Sequence, residues 1–288
     1  MKIAIIIPVY NEEANLERML SSMVAQTKTP TQVVIVDDNS TDNSPNIIKE
    51  YTNMYPWISS IKTTTSSKHS PGSKVIQAFY KGYETLKKDL DLIGKFDADI
   101  ILPTNYIEKT VALFQTDAAI GIAGGNLYIE KNGSWVYENI SEKTKVRGPI
   151  KLYRKACFEA IGGLKKSIGW DSVDVLLAAF RGWKTSTDPS LHVKHLKITG
   201  KAYSTEAKYK QGEAFYRMRY GKSLTRIAAL KLAMAKKDIL LYTNCMRGYY
   251  LSKKEELAFI VTEEEGVFIR NLRWEGIKKK ILYRAVNT

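Results

Sequence analysis

The sequence predicts an α/β domain with a mostly parallel sheet, followed by a helical extension. Over residues 1–199, short apolar runs alternate with segments whose apolar residues recur at helical spacing. The runs are hydrophobic at successive positions, which is typical of strands covered by helices on both faces. From Gly200 onward the pattern is helical and amphipathic, so we predict a sheet domain over 1–199 and an extension over 200–288.

Predicted strands and helices alternate along the first 125 residues. The strand segments are KIAIIIPVY, TQVVIVDD, DLIGKFDADI and AAIGIAGG. The helical segments are NLERMLSSMVAQT, SPNIIKEY, SKVIQAFYKGYETLKK and NYIEKTVALF. This alternation favours crossover connections between parallel strands.

The pattern changes after residue 125. Asn-Gly in NLYIEKNGSWVYENI is typical of a hairpin turn. RGPIKLYRKACFEAIGGL predicts a strand leading into a helix that ends at the Gly-Gly pair. GWDSVDVLLAAFRGWKT predicts an amphipathic helix, and TSTDPSLHVKHLKI predicts a final strand pair.

The composition limits the class of protein. With 288 residues, 44% of them hydrophobic, the chain can bury a sizeable core, so disorder is not the default expectation. The net charge of +14 is uneven, because the chain from Gly200 onward carries 19 Lys and Arg against 9 Asp and Glu. This excess predicts an anionic partner for the C-terminal third, either nucleic acid or an anionic membrane surface.

The cysteines and apolar runs suggest a cellular location. Cys157 and Cys245 fit neither a disulfide framework nor a zinc spacing, which suits a reducing compartment. The apolar run in MKIAIIIPVYNEE is too short for a signal-peptide core, and no run of 18 apolar residues is present. We therefore expect a cytoplasmic protein.

Polar side chains follow three of the predicted strands. These are residues 10–12 after the first strand, Asp37 and Asp38 after the second, and Asp97 and Asp99 after a later one. The carboxyl ends of parallel strands meet at one edge of a sheet, where ligands collect. A helix cap or turn would equally explain Asp37 and Asp38 alone, but three polar ends together favour a binding crevice.

Asp97 and Asp99 flank Ala98 at the end of an apolar strand. Two carboxylates at this spacing can bind one hard divalent cation, such as Mg²⁺ or Mn²⁺, and the ribose of a nucleotide. An isolated Asp-x-Asp motif is a weak signal. The neighbouring motifs make it more specific.

Taken together, these motifs resemble the family 2 glycosyltransferases of the GT-A fold. PVYNEE, VDDNSTDNS, FDADI, a Gly-Gly segment and an acidic helix start occur in the family's order and spacing over residues 1–199. RGPIKLYRKACFEAIGGL followed by GWDSVD resembles the bacterial non-processive branch. The resemblance implies inverting, metal-dependent transfer of one sugar from a nucleoside-diphosphate-sugar to a hydroxyl group.

The resemblance also implies donor-binding residues. Pro8, Tyr10 and Glu12 would line the base and ribose pocket, and Asp38 would hold the base or the ribose. Asp97 would contact the ribose or a metal-bound water.

The metal ligands follow from the same resemblance. Asp99 would bind the Mg²⁺ or Mn²⁺ that bridges the two phosphates and stabilises the departing diphosphate. His195 is the better candidate of two histidines for a further metal ligand, although a structural role is an equal explanation. His192 and His195 should face opposite sides of their strand.

A carboxylate near the anomeric carbon would act as the base that removes the acceptor proton. Asp171 is our candidate, with Asp174 as its neighbour or as an acceptor contact. GWDSVD departs from the family's adjacent Glu-Asp pair, which leaves open which aspartate is the base. A helix-capping role for Asp171 is the alternative.

Basic residues supply the remaining candidates. Lys68, His69 and Lys74 could approach the phosphates or the base, although a solvated loop explains them almost as well. Arg147 could reach the diphosphate or the acceptor.

The C-terminal third allows two interpretations. Leu224, Ile227, Leu230 and Met234 repeat at helical spacing among basic residues, which predicts either a helix lying in an anionic membrane interface or a helical subdomain packed on the core. Arg270 in RNLRW replaces the glutamine of the Gln-x-x-Arg-Trp motif of processive synthases, which favours single-sugar addition.

The resulting hypothesis is a glycosyltransferase of cell-envelope or polysaccharide synthesis that docks on the inner membrane face. Its expected partners are a UDP- or GDP-linked donor and a glycan or lipid-linked acceptor, and no nucleic acid. The alternatives are a nucleotidyltransferase that releases pyrophosphate and a non-catalytic protein that binds anions or membranes through its basic tail.

Overall fold

The computed structural model describes residues 1–63, 73–139, 142–197 and 208–286, with side chains described to residue 279. In these ranges nine strands form one mixed sheet in the order β3-β2-β1-β4-β8-β6-β9-β5, with β7 paired to β6. The strands are β1 Ile3–Val9, β2 Gln32–Asp37, β3 Ile58–Lys62, β4 Leu92–Phe96, β5 Ile100–Ile101, β6 Ile120–Lys131, β7 Ser134–Tyr137, β8 Ile150–Arg154 and β9 Lys184–His195.

The first half of the sheet is parallel, as predicted. Strands β3, β2, β1 and β4 run in one direction, so their carboxyl ends share one edge. Strand β8 lies antiparallel between β4 and β6, which brings its first residues to that same edge. Strand β9 runs parallel to β6 and pairs with the short β5 in the antiparallel sense.

Helices cover the sheet and form the C-terminal extension. They are α1 Leu16–Val24, α2 Ser44–Met54, α3 Ser73–Tyr83, α4 Tyr106–Thr116, α5 Lys155–Ala160, α6 Trp170–Phe180, α7 Lys210–Arg217, α8 Gly221–Lys236, α9 Ile239–Lys254 and α10 Glu263–Val286. The central strands are buried almost throughout, as expected for strands covered on both faces. The predicted hairpin turn has positive φ at both Asn132 and Gly133, the backbone of a two-residue turn.

The structure differs from the prediction in three further places along the chain. Strand β3 was not predicted, because ISSIK is polar and largely exposed and so lacks the apolar pattern of a buried strand. Strand β6 continues through the segment assigned to a separate hairpin piece.

The predicted strand pair in TSTDPSLHVKHLKI is the third difference, because it is the single strand β9. Its register along β6 jumps between Gly124 and Asn126, and Asp188 accepts a hydrogen bond from the backbone N of Ser190 (2.8 Å) within the bulge. The turn at this bulge therefore does not reverse the direction of the chain. A Cβ on Gly125 would lie 2.5 Å from the Leu191 carbonyl oxygen, so the close approach requires glycine here.

The C-terminal helices pack on the sheet domain through α6. Phe268 of α10 contacts Phe180 with ring centroids 5.4 Å apart, and Glu265 pairs with Arg181 at 3.2 Å. These contacts agree with packing of part of the extension on the sheet domain, one of the two interpretations given above. The predicted boundary at 199/200 lies outside the described residues. Among the described helices, none is both long and apolar enough to cross a bilayer.

Candidate functional site

The predicted polar strand ends meet at one edge of the sheet. The register pairs Val9 with Asp37, and the backbone N of Asp38 donates to the Val9 carbonyl (2.8 Å). On the other side of β1, the backbone N of Asp97 donates to the carbonyl of Pro149, at the start of β8 (3.0 Å). The ends of β1, β2 and β4 and the start of β8 thus lie side by side at one edge of the sheet.

The end of β1 presents residues with very different exposure. Pro8 is half-buried, whereas the side chain of Tyr10 is 60% exposed. Glu12 accepts hydrogen bonds from Asn15 (3.0 Å) and from Lys197, which follows β9 (2.5 Å). The Glu12–Lys197 pair therefore joins the two sides of the edge.

Asp37 and Asp38 differ in their surroundings. Asp37 is buried, and its carboxylate accepts a hydrogen bond from the backbone N of Ser40 (2.9 Å), which is the turn role considered above. Asp38 is half-buried at the strand end. Of the two, Asp38 is the more exposed.

Asp97 forms an ion pair with Lys95, two residues earlier on β4. The ammonium group of Lys95 is buried and lies 4.9 Å from the ring centroid of Trp170. Asp97 itself remains partly exposed. Asp97 is therefore accessible at the sheet edge while the buried Lys95 balances its charge.

Asp99 faces His195 across the β5–β9 pairing. Its carboxylate lies 3.7 Å from Nε2 of His195, and the Nδ1 of that ring lies 3.3 Å from the carboxylate of Glu138. Arg147 pairs with the same Glu138 at 3.3 Å. These contacts link Asp99, His195, Glu138 and Arg147 in one series. His195 and Glu138, in the middle of the series, are buried.

The pKa values in this series are shifted. Burial, followed by the nearby charge of Asp97, raises the pKa of Asp99 to about 6. Burial alone would lower the pKa of His195, but the hydrogen bond to Glu138 and the charge of Asp99 outweigh it and raise the pKa. The ionised form of Asp99 therefore lacks sufficient compensation in the protein alone.

The donor set fits a divalent cation only in part. Among the described residues, no three His, Cys, Asp or Glu side chains form a group able to hold a metal. In the neutral tautomer that carries the proton on Nδ1, His195 would donate to Glu138 and direct the lone pair of Nε2 toward Asp99. Asp99 and His195 thus fit a cation whose remaining ligands are phosphate oxygens and water.

Asp171 lies in the first turn of α6, beside Gly148. The helix cap is Gly169, with φ +72°, so Asp171 is not the cap. A Cβ on Gly148 would lie 3.1 Å from the Cβ of Asp171 and 3.3 Å from its carboxylate. A side chain at residue 148 would therefore require Asp171 or Trp170 to shift by a few tenths of an ångström.

Asp174 is buried behind Asp171, which contradicts its predicted contact with the acceptor. Its side chain is 1% exposed and accepts hydrogen bonds from Lys151 (2.7 and 2.8 Å) and from the Tyr153 hydroxyl (2.5 Å). Lys151 also donates to the backbone carbonyl of Asp171 (2.5 Å). Asp174 therefore faces β8 of the sheet, where it anchors the first turn of α6.

Lys151 and Lys95 are direct partners in the β4–β8 register. Like charges opposite one another destabilise a sheet, but each lysine here has its own aspartate. Both ammonium groups also lie within 5.7 Å of the Trp170 ring centroid. The two ion pairs therefore link the sheet to the start of α6.

We expect Lys151→Met to destabilise the protein by roughly 3–5 kcal/mol, because it leaves the buried Asp174 carboxylate without its counter-charge. Urea unfolding followed by circular dichroism measures this change. Lys184→Met is the matched control, since it removes an exposed pair with Asp117 (2.8 Å) and should cost about 1 kcal/mol or less. Equal losses in the two variants would contradict the proposed anchoring role.

Lys74 and His192 are the remaining candidates among the residues that the structure describes. Lys74 is half-buried in the first turn of α3, and in the described part of the chain no hydrogen bond or ion pair joins it to the cluster. Lys68 and His69 lie outside the described residues. His192 is exposed against the ring of Tyr128 and, as predicted, faces away from the buried His195.

Several residues of the site were missed by sequence reasoning. They are Lys95, Lys151, Glu138, Tyr153, Trp170 and Lys197. A lysine inside each of the apolar strands LIGKF and IKLYR was the available signal, because a buried lysine needs a partner. Glu138 and Lys197 gave no comparable local signal.

Comparisons with known proteins identify the family. The model of Glycosyl transferase family 2 matches residues 4–166, more than half of the chain. The Minor teichoic acid biosynthesis protein GgaA of Bacillus subtilis is 26% identical over 222 residues, covering 75% of this chain and 47% of that protein. The chain spans less than half the length of three curated relatives that it matches.

Two solved structures share the fold. S. aureus TarS 1–349 in complex with UDP-GlcNAc has a TM-score of 0.57 at 19% identity, covering 81% of this chain and 67% of that one. The mannosyltransferase PcManGT from Pyrobaculum calidifontis, in complex with GDP-Man and Mn²⁺, has a TM-score of 0.58 at 14% identity, covering 96% and 80%. The architecture is thus the predicted GT-A fold, and the chain belongs to Glycosyl transferase family 2.

Proposed function

We propose that this chain is an inverting, metal-dependent glycosyltransferase that moves one sugar from a nucleoside-diphosphate-sugar to a hydroxyl acceptor. One observation carries the proposal. The Asp99 carboxylate, with its raised pKa, lies at the sheet edge beside Asp97 and faces a histidine that Glu138 orients. A divalent cation, bound together with the diphosphate, would supply the positive charge that this carboxylate lacks.

Donor binding is assigned to the strand ends. Pro8, Tyr10, Glu12 and Asp38 would surround the base and ribose, and Asp97 would contact the ribose or a metal-bound water. Arg147, held by Glu138, stays a candidate for the diphosphate or the acceptor, and Lys74 stays a candidate for the phosphates. The UDP-GlcNAc and GDP-Man complexes of the two structural neighbours support a nucleotide-sugar donor of either base.

Asp99 and His195 would hold Mg²⁺ or Mn²⁺. The cation would stabilise the negative charge that develops on the departing diphosphate. The Mn²⁺ of PcManGT supports this assignment. The geometry of His195 agrees with it, since metal-binding histidines commonly direct their second nitrogen to a carboxylate.

Proton removal is assigned to Asp171. Its carboxylate would accept the acceptor proton as the hydroxyl oxygen attacks the anomeric carbon from the face opposite the diphosphate, which inverts the configuration. The Lys151 hydrogen bond to the Asp171 carbonyl supports a fixed position for this turn. Asp174 acts through that anchor and is a positioning residue.

The names of two relatives support a class of acceptor. GgaA is named for minor teichoic acid biosynthesis, and another relative, TarS of Staphylococcus aureus, is named a poly(ribitol-phosphate) β-N-acetylglucosaminyltransferase. We infer that the acceptor is a hydroxyl of a cell-envelope polymer or of its lipid-linked precursor.

Calorimetric titration of the purified chain with UDP and GDP, in Mn²⁺ and in EDTA, tests the donor site. We expect Mn²⁺-dependent binding of one of the two. Two product assays separate the enzyme classes: a glycosyltransferase releases the nucleoside diphosphate from a nucleotide sugar, whereas a nucleotidyltransferase releases pyrophosphate from a nucleoside triphosphate and a sugar 1-phosphate. Pyrophosphate release, or no binding of either diphosphate, would overturn the proposal.

We expect Glu138→Gln to weaken Mn²⁺-dependent diphosphate binding by about 10–100-fold, because the carboxylate fixes the tautomer and orientation of His195. Calorimetry in Mn²⁺ measures the change. The matched control is Glu130→Gln, an exposed glutamate on β6, which should bind like the wild type. The assignment fails if the two variants have the same affinity.

A further inference from the structure

The turn between α8 and α9 forms an exposed tip. Helix α8 ends at Lys236, Lys237 has a positive φ of 53°, and Asp238 caps α9 by accepting a hydrogen bond from the backbone N of Leu240 (2.9 Å). Every residue from 234 to 240 is exposed. We refer to residues 230–240 as the hairpin tip.

The hairpin tip carries large aliphatic side chains that face water. Leu230, Met234, Ile239 and Leu240 are 48–71% exposed. The opposite face of α8 packs inward, since Leu224, Ala229 and Ala233 are buried. The apolar stripe predicted from the sequence is thus divided, with Leu224 in the core and Met234 outside. A clustered apolar surface of this kind marks an interaction site.

The charges of the hairpin tip indicate which partner fits. Lys231, Lys236 and Lys237 are exposed beside the aliphatic side chains, and the one acidic residue of this segment, Asp238, caps α9. A second copy packed on the same face would bring two sets of lysines together in a desolvated interface, which is unfavourable. An anionic bilayer instead accepts aliphatic side chains below its headgroups and ammonium groups among them.

We propose that the hairpin tip inserts into the interface of an anionic lipid bilayer. The aliphatic side chains enter the boundary between headgroups and acyl chains, and the three lysines contact the phosphates. The tip lies in the C-terminal third, which carries most of the positive net charge of the chain. The proposal does not depend on the transfer reaction assigned to the sheet edge.

Co-sedimentation of the full chain with vesicles tests the insertion. We expect binding to phosphatidylglycerol-containing vesicles and much weaker binding to pure phosphatidylcholine. The double variant Ile239→Asn, Leu240→Asn should weaken this binding by roughly tenfold or more. The control Met54→Asn changes an exposed apolar residue of the sheet domain and should bind like the wild type.

Three results would overturn the proposal. They are a wild type that does not bind anionic vesicles, a double variant that binds as well as the wild type, and light scattering that shows a dimer which the double variant dissociates without vesicles. Circular dichroism and UDP or GDP titration of each variant establish that it is folded. Failure of diphosphate binding in the wild type would affect the proposed function and not this test.

Fluorescent labelling locates the inserted residue. Cys157 and Cys245 are both buried, so a bimane label should react selectively with Met234→Cys. Its emission should shift to the blue with phosphatidylglycerol vesicles, while the label on Met54→Cys should not shift. An unshifted label at 234 would show that the hairpin tip stays in water.

Discussion

We expect Asp171→Asn to reduce sugar transfer by about 10³-fold while leaving donor binding unchanged. An amide cannot accept the acceptor proton, and loss of a positioned general base commonly lowers a rate by roughly 10²–10⁴-fold. The amide keeps the size of the side chain beside Gly148, so the packing of the α6 start should be preserved. Release of UDP or GDP from the bound nucleotide sugar, in single turnovers, measures the effect.

Two further variants serve as controls for Asp171→Asn. Ser172→Ala changes the exposed next residue and should transfer at the wild-type rate. Asp174→Asn replaces the buried carboxylate that holds Lys151, so we expect its main effect on stability, seen as a lower melting temperature. Wild-type turnover by Asp171→Asn, or an equal loss of donor affinity, would remove Asp171 as the base.

We expect Asp99→Asn to weaken Mn²⁺-dependent binding of UDP or GDP by about 100-fold or more. A neutral amide is a poor ligand for a hard cation, and the cation's interaction with the phosphates contributes several kcal/mol. The measurement is calorimetric titration with and without Mn²⁺. Binding that responds to Mn²⁺ as strongly as in the wild type would place the cation elsewhere.

The same substitution should leave the metal-free protein folded and at least as stable. The pKa of Asp99 is raised above its ordinary value, so its ionised form opposes folding at pH 7 and its protonated form does not. An amide is neutral at every pH and avoids that cost. A melting temperature at pH 7 that is not lower than that of the wild type would separate lost metal binding from lost structure. Asp188→Asn, on the exposed bulge of β9, is the matched control for both measurements.

The sequence predicted more of the fold than of the site's interior. Buried parallel strands such as IAIIIPV and VVIV are apolar at successive positions, and the pattern is local and readable. ISSIK lies on the outer strand β3 with much of its surface in water, so no apolar pattern indicated it. The residues that predicted a turn within TSTDPSLHVKHLKI do form a bulge. The strand nevertheless keeps its direction, because it pairs with β6 on both sides of that bulge.

The candidate site shows the same division. Asp97, Asp99 and Asp171 were identified because motifs fix their positions along the chain. Asp174, three residues after Asp171, was predicted to be its neighbour or an acceptor contact, and its burial against Lys151 and Tyr153 agrees with the first role and not with the second. Spacing along a helix does not indicate which face the sheet will cover.

By itself, the sequence determined the alternation of strands and helices, the edge at which the polar strand ends meet, and the family to which the chain belongs. Only the tertiary structure decided which charges are paired inside. The Lys95–Asp97 and Lys151–Asp174 pairs and the Glu138–His195–Asp99 series depend on register between strands that are distant in the chain. Buried charges require compensation, and the residue that supplies it is set by packing in three dimensions.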